Sequence, residues 1–330
     1  MSAPALSLPG RRGVARGRWL RRNAWTLGVY TLLAVLLIVW RIIHPTLGSF
    51  DIQSLVDGAL PLGLAAMAQA VVVLAGGIDL SIGSMMGLVN VTSALLMVHA
   101  DLKGALLVSA LLLVGTALAG ALTGALITVT GVPDIIVTLA TSFLWGGLAL
   151  QLMPTPGGGA PLDFVNLLTG EIGSDLPSGL VVLLIVLLVV WLPFRRSRPG
   201  LALYAIGSNR TAAFLSGISV ARTRIMAYAL GGVFIALGGL ALTATTSNGS
   251  AVSGTYYTLN SVAAIVLGGV SLAGGRGGMI GPLAATFVLV LVSNLLTLLG
   301  VDQNWSQVLQ GALVVLVVMF AGLVLTRRRV

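Results

Sequence analysis

Ten consecutive residues, Val181-Val182-Leu183-Leu184-Ile185-Val186-Leu187-Leu188-Val189-Val190, carry no polar side chain. Such a run has no face to turn towards water. It is one of a series of apolar segments separated by Gly, Pro or charged residues. In lipid every backbone N–H and C=O must be satisfied internally, which leaves helices or a closed barrel. A transmembrane barrel alternates apolar and polar residues over about 10-residue stretches, and this run does not alternate. The composition agrees. The chain of 330 residues is 57% hydrophobic and 8% charged, against about 45–50% and about 25% in a soluble domain. That balance excludes a soluble globular fold and a disordered one.

Segments of about span length fall at 24–43, 57–76, 84–99, 104–129, 134–153, 179–194, 225–245, 257–274, 279–299 and 306–326. The expected fold is therefore all-α: a polytopic membrane bundle of about ten transmembrane helices. The first segment follows Arg11, Arg12, Arg16, Arg18, Arg21 and Arg22. It is longer than the apolar region of a signal peptide, and His44-Pro45-Thr46 does not resemble a cleavage site. It reads as an uncleaved first span.

The net charge of +9 invites a nucleic-acid reading, but its distribution argues otherwise. The basic residues sit in short blocks between apolar runs, as the positive-inside rule requires. Ten spans put both termini in the cytoplasm. Sixteen of the 18 Lys and Arg then lie on that side, Arg41 and Lys103 being the exceptions. Seven of nine acidic residues fall outside; Asp79 and Asp134 do not. The organisation is a basic segment 1–23, a membrane domain 24–326 and a basic tail 327–330. Two loops are long. The Gly/Pro-rich, acidic stretch 154–178 is expected outside, as a lid or contact loop. Residues 195–224 are expected inside and carry six arginines, an apolar patch Leu201–Ile206 and a helix-like stretch Thr211–Ser216 that Asn209 could cap. The apolar content predicts that this loop docks something cytoplasmic.

The chemistry on offer is sparse. There is no Cys and there are two His, which leaves no thiolate and little for a metal centre. Gly274-Gly275-Arg276-Gly277-Gly278 lacks the Lys-Ser/Thr of a phosphate-binding loop. The sequence gives no sign of an enzyme, and if the protein moves something uphill the energy source is expected elsewhere. Asp79 is costly at membrane depth unless paired; it serves either a pathway or, with Ser81, the start of the third span as a helix cap. Ser84, Asn90, Thr138 and Asn260 join Asp79 and Ser81 as candidate substrate-path residues, although such groups more often bond across helices as packing contacts. Gly120-Ala121-Leu122-Thr123-Gly124 predicts close helix packing. Two stretches rhyme weakly, Gly76-Gly77-Ile78-Asp79-Leu80-Ser81-Ile82-Gly83 and Gly268-Gly269-Val270-Ser271-Leu272-Ala273-Gly274-Gly275; paired Gly-interrupted segments can mark a transporter's substrate path.

Several strings carry a family resemblance. Gly76–Ser84 resembles the signature after the second span of permease subunits of bacterial ABC importers for monosaccharides, the branch serving ribose, xylose, arabinose and galactose. Gly200–Asn209, with Ala212-Ala213 and Leu215-Ser216-Gly217-Ile218, is similar to that family's ATPase-facing loop. Ser261–Gly269 with Gly274–Gly277 resembles its late hairpin, and Val137-Thr138-Leu139 is a fourth match. The chain departs from the family's pattern at Asp134, Gly146, Asn260 and Arg210-Thr211. The resemblance implies a multi-pass protein of the bacterial cytoplasmic (inner) membrane, which forms the path for a small sugar. It implies cytoplasmic ABC ATPase subunits that hydrolyse ATP, a second permease chain, identical or related, and an extracytoplasmic sugar-binding protein. No cofactor on this chain and no nucleic acid are implied. Gly200, Tyr204, Gly207, Ser208, Asn209 and Gly217 become the candidate ATPase-coupling residues. The competing expectations are a stand-alone ion-coupled secondary transporter, which asks for more intramembrane carboxylates than Asp79 and Asp134, and the same ABC fold importing a nucleoside or other hydroxylated solute.

Overall fold

The computed structural model describes residues 11–302 except 174, together with 305, 308, 309, 311, 312 and 315. The basic tail 327–330 and most of the expected tenth span, 306–326, lie outside the described residues.

The described chain is helical apart from one small hairpin. In order come α1 (Arg11–Ile43), α2 (Ser49–Leu74), α3 (Ile82–Met97), α4 (Leu102–Thr130), α5 (Asp134–Leu152) and α6 (Leu162–Thr169). The antiparallel strands β1 (Glu171–Ile172) and β2 (Leu176–Pro177) follow. Then come α7 (Ser178–Ile185), α8 (Leu192–Arg196), α9 (Arg198–Ser208), α10 (Arg210–Leu215), α11 (Val220–Thr246), α12 (Thr255–Leu267) and α13 (Ile280–Leu298). A π-helical stretch, Val186–Trp191, joins α7 to α8 into one long rod ahead of Pro193.

Seven of these rods are long and apolar enough to cross a membrane. Two more, α3 and α12, are apolar but short, at 16 and 13 residues. At 1.5 Å per residue they reach about 24 and about 20 Å, less than the roughly 30 Å hydrocarbon core. The expected span 257–274 therefore stops early: α12 ends at Leu267, where Gly268 and the positive φ of Gly269 turn the chain. The first helix runs further than expected, continuing back through the basic residues to Arg11.

Burial separates the helices. Helix α2 is apolar on every side, as a helix enclosed by protein must be, and its most apolar window is 89% buried. Helix α11 lies beside it and is also largely enclosed. Helices α4 and α5 instead present Leu107, Leu111, Leu118, Phe143 and Leu144 outward, the side chains of a surface suited to lipid or another apolar partner.

The expected close packing at Gly120 and Gly124 is where α4 meets α11. A Cβ on Gly120 would collide with the Tyr228 carbonyl, and one on Gly124 would stand 2.9 Å from the Ile225 Cα. Gly232 makes the reciprocal approach to the Thr116 carbonyl. Three small residues thus bring two backbones together.

The two ends of the bundle differ. One end gathers the turns 75–81, 131–133, 197–219 and 268–279. It also holds the start of the first span, where Trp25 Nε1 donates to the Leu267 carbonyl at 2.8 Å. Arg195, Arg196, Arg198, Arg210, Arg222 and Arg276 lie here. The other end gathers the turn after α3, the 153–178 stretch and the turn 247–254. There Gly159 N donates to the Ala94 carbonyl, and Gly157 pairs with Gly249. The 154–178 loop is built rather than free: Phe164 on α6 is buried among Met97, Ala105 and Leu240, and Gln53 Nε2 donates to the Thr169 carbonyl at 2.6 Å.

The α4–α11 contact gives a signed prediction. Gly120→Ala adds a Cβ where the Tyr228 carbonyl stands, and overpacking of this kind costs about 1–3 kcal/mol. Gly115→Ala on the same helix meets nothing within 4 Å, so it gains helix propensity, up to about 1 kcal/mol. Thermal unfolding in detergent should move down for the first variant and level or up for the second.

Candidate functional site

Helices α2 and α12 end in the same way. After α2, Gly76 takes φ +79°. Gly76 N donates to the Val73 carbonyl at 2.8 Å and Gly77 N to the Val72 carbonyl at 3.0 Å. After α12, Gly269 takes φ +83°, Gly269 N reaches the Val266 carbonyl at 3.0 Å and Val270 N the Ile265 carbonyl at 2.9 Å. Both are Schellman caps, in which a left-handed residue, usually Gly, lets two late carbonyls find donors. The shared geometry sets Val72-Val73-Leu74-Ala75-Gly76 against Ile265-Val266-Leu267-Gly268-Gly269. The weak rhyme read from sequence is thus shifted by one residue, because the left-handed position, not the first glycine, sets the register.

The two turns touch. Gly275 N donates to the Leu74 carbonyl at 3.0 Å. A Cβ on Gly274 would stand 2.9 Å from the Gly76 Cα. The 195–224 loop closes on both. A Cβ on Gly207 would press into the Leu74 carbonyl, and Arg210 Nη2 donates to the Gly76 carbonyl at 2.7 Å. Tyr204 Oη donates to the Gly277 carbonyl at 3.1 Å, and Ser208 Oγ reaches the Gly275 carbonyl at 3.5 Å. Arg195 lies over the Tyr204 ring, 5.9 Å from its centroid. Burial lifts the Tyr204 phenol above its ordinary pKa, with the Arg195 charge pulling against it. The phenol therefore stays protonated and keeps its donor.

The loop itself is ordered by caps. Ser197 Oγ accepts from Gly200 N at 3.3 Å and starts α9. Asn209 Oδ1 accepts from Ala212 N at 3.0 Å and starts α10, the cap expected from sequence. Ser219 Oγ accepts from Arg222 N at 3.4 Å and starts α11. A Cβ on Gly200 would strike the Phe194 carbonyl. Gly217, at φ +80°, turns the chain out of α10, with Ile218 N on the Ala213 carbonyl at 3.0 Å. The apolar patch Leu201–Ile206 is spent differently from the expectation. Leu203 and Ile206 are buried in the protein's own core, because α9 lies against the bundle. The apolar groups left outward are Leu201 and, on α10, Phe214 (68% exposed) and Leu215 (79%).

Beneath this junction lies a buried polar cluster. Asp79 Oδ1 accepts from Ser81 N at 2.8 Å and from Ser81 Oγ at 2.6 Å. Asp79 thus fixes the turn before α3, and Ser81 stands at the N-cap position with no side-chain cap bond. Thr138 Oγ1 donates to the Asp134 carbonyl at 2.8 Å and to the Ile78 carbonyl at 3.3 Å. Tyr228 Oη donates to Asp134 Oδ2 at 3.0 Å, and Arg224 forms an ion pair with Asp134. Sequence reasoning missed Arg224 and Tyr228 as members. The signal was present in part: Asp134 was one of two acids on the basic side, and an acid there needs a partner.

The six candidate path residues fall in separate places. Asp79, Ser81 and Thr138 join the cluster just described. Ser84 Oγ donates to the Ser81 carbonyl at 2.9 Å and to Ser142 Oγ at 3.2 Å, between α3 and α5. Asn260 Nδ2 donates to the Tyr256 carbonyl of its own helix at 2.8 Å. Asn90 lies towards the other end, where Nδ2 donates to Thr243 Oγ1 at 3.0 Å and to the Asn248 carbonyl at 2.9 Å. Its Oδ1 accepts from Ser250 N at 2.8 Å. Both Asn90 donors are therefore spent on packing. Among the described residues no group of three or more His, Cys, Asp or Glu could hold a metal ion.

Comparison with known proteins places this architecture. Residues 52–318 match the family described as "Branched-chain amino acid transport system / permease component". The chain is 34% identical to the probable ABC transporter permease protein YphD of Escherichia coli, over 99% of this chain and 98% of that protein. It is 35% identical to the ribose import permease protein RbsC of Bacillus subtilis, over 89% and 91%. It is 32% identical to the autoinducer 2 import system permease protein LsrD of Photorhabdus temperata, over 94% and 95%. No solved structure matches. With helices long enough to span and relatives matched along nearly their whole length, the chain belongs to this family of ABC-importer permeases, as a membrane-embedded permease subunit.

Proposed function

We propose that this chain forms the translocation path for a small sugar or a similarly hydroxylated, uncharged solute, and that its 195–224 loop couples that path to a cytoplasmic ATPase. The observation that carries the reading is the junction at Leu74–Gly76, Gly207–Arg210 and Gly274–Gly277. A push on α10 is delivered through α9 to the end of α2 and to the 274–277 turn that follows α12. The relatives' names supply the solute class: ribose for RbsC and autoinducer 2 for LsrD. Ser84 and Ser142, which bond to each other between α3 and α5, agree with that class, since both are neutral hydroxyls.

The ATPase would seat α10, whose outward Phe214 and Leu215 supply apolar anchors within an arginine-rich loop. The basic end of the bundle would then be cytoplasmic by the positive-inside rule, with about ten spans and both termini on that side. ATP would be bound and hydrolysed by the partner, not by this chain. A binding protein would deliver solute at the opposite end, near 154–178. A second permease chain would complete the path, with α4, α5 or the exposed flank of α12 available to face it. Alternating access would be a rocking of the α2–α3 and α12–α13 units against one another.

Two outcomes test this. Phe214→Asp with Leu215→Asp should remove the ATPase from the complex recovered in mild detergent, with the permease still inserted at its normal level; full recovery of the ATPase would remove α10 from the interface. Gly207→Leu should cut ATP-dependent uptake of D-ribose or the solute found by a sugar panel at least tenfold, whereas Asp79→Asn should retain most of it. Asn also offers an oxygen to Ser81 N and Oγ, so loss of uptake in that variant would show that the charge itself is used.

A further inference from the structure

One group in the core is left over by every interaction described above. Gln69, on the innermost part of α2, is 0% exposed, and neither its Nε2 nor its Oε1 has a hydrogen-bond partner within the protein. Among the described residues, other buried atoms lack partners: Trp145 Nε1, Asp57 Oδ1 and His44 Nδ1. Only Gln69 has both its donor and its acceptor in that state.

Its position is specific. Residues 69 and 72 are spaced i and i+3, so they share one face of α2, and Gly76 stands just past the end of that helix. Val72 on that face packs with Tyr228. Gly76, seven residues further and about 10 Å along the axis, is held by Arg210 and pressed by Gly274. Gln69 therefore lies directly behind the junction that closes this end of the bundle.

We infer that Gln69 lines the translocation path and hydrogen-bonds the uncharged, hydroxyl-rich solute once the junction above it opens. This rests on the proposed transport function. A carboxamide offers two N–H donors and one carbonyl acceptor with no charge, which suits hydroxyl groups that both donate and accept. Burying such a group unpaired carries its full desolvation penalty. That penalty falls on the closed arrangement alone. It raises the closed state towards the open one, where the amide meets solute or water, and two states of similar free energy are what alternating access requires.

The test uses the absence of cysteine from the chain, which makes every single-Cys variant unique without further engineering. Gln69→Cys is made in the assembled complex with its ATPase, in inverted membrane vesicles. It is exposed to a small, charged, membrane-impermeant thiosulfonate reagent without nucleotide, with ATP, and after trapping with vanadate. Leu60→Cys, equally buried on the opposite face of α2, is the control for general access. Ser84→Cys reports the path flank on which the proposed function relies. The expected result is that Gln69→Cys reacts at least tenfold faster in one of the three states than in the others, while Leu60→Cys reacts in none.

Labelling at Ser84→Cys without labelling at Gln69→Cys would overturn this inference and leave the transport reading standing. Failure at both positions would count against the transport path itself. Should Gln69→Cys fail to assemble, Val73→Cys reads the same face one turn nearer the junction without removing a polar group. State-dependent labelling there supports the inference, and none in any state overturns it. Bound D-ribose slowing the reaction at either position would identify the solute class directly.

Discussion

The Leu74 carbonyl ends the central helix, and the N–H that satisfies it comes from Gly275, far along the chain. This helix end is buried in protein, where a carbonyl without a donor is costly, so α2 must finish against something that donates. This chain supplies a second helix end of the same design, and the 274–278 glycines that follow α12 approach closely enough to bond. Much of the architecture follows from that choice. Helix α2 must be central, because both its end and its sides are enclosed. Helix α9 packs against the junction at Gly207, where a side chain would meet the Leu74 carbonyl. The ordering of the 195–224 loop is a consequence of the same contact, carried by Arg210 and Tyr204.

Buried charge shows the same economy. Asp134 starts α5, and both its neighbours across the gap, Arg224 and Tyr228, belong to the first turns of α11. Removing one partner of a buried pair typically costs about 3–5 kcal/mol, because the other charge is left without compensation, although the pair as a whole adds little over an apolar replacement. Its value lies in specificity. A single ionic contact fixes which face of α11 meets the start of α5, next to the Asp79 turn.

What was legible in the sequence was what depends on one segment at a time. Span positions came from apolar length, the α10 cap from Asn209 before a helix-like stretch, and the α4–α11 contact from Gly120 and Gly124. The family strings led to a membership that the comparisons bear out. What was not legible depends on two segments meeting. The 257–274 span was drawn too long because Val270 and Leu272 are apolar, whereas the chain turns at Gly269 for a backbone reason that hydropathy does not register. The Leu201–Ile206 patch was assigned to a partner because nothing in its spacing says that α9 folds back onto its own bundle. The cluster around Asp134 needed the distance between residues 134 and 224, which no local pattern contains.

The junction combines close-packed glycines with a few hydrogen bonds: Gly275 N donates to the Leu74 carbonyl, and the side chains of Arg210, Tyr204 and Ser208 donate to the Gly76, Gly277 and Gly275 carbonyls. Interdigitated side chains lock an interface, since each must leave its socket before the surfaces part, and dense packing transmits strain rather than absorbing it. Glycine-rich turns joined by one amide-to-carbonyl bond and three side-chain donors offer few such sockets. Each neutral bond contributes a net of only about 0.5–1.5 kcal/mol, and the glycines present smooth surfaces on both sides. Around the junction, the polar residues that would keep a passage wet are tied to fixed turns, as Asp79 is to Ser81. The glycine content that makes these turns ambiguous to read in sequence is therefore the property that lets three segments meet at backbone distance at one end of a tightly packed bundle.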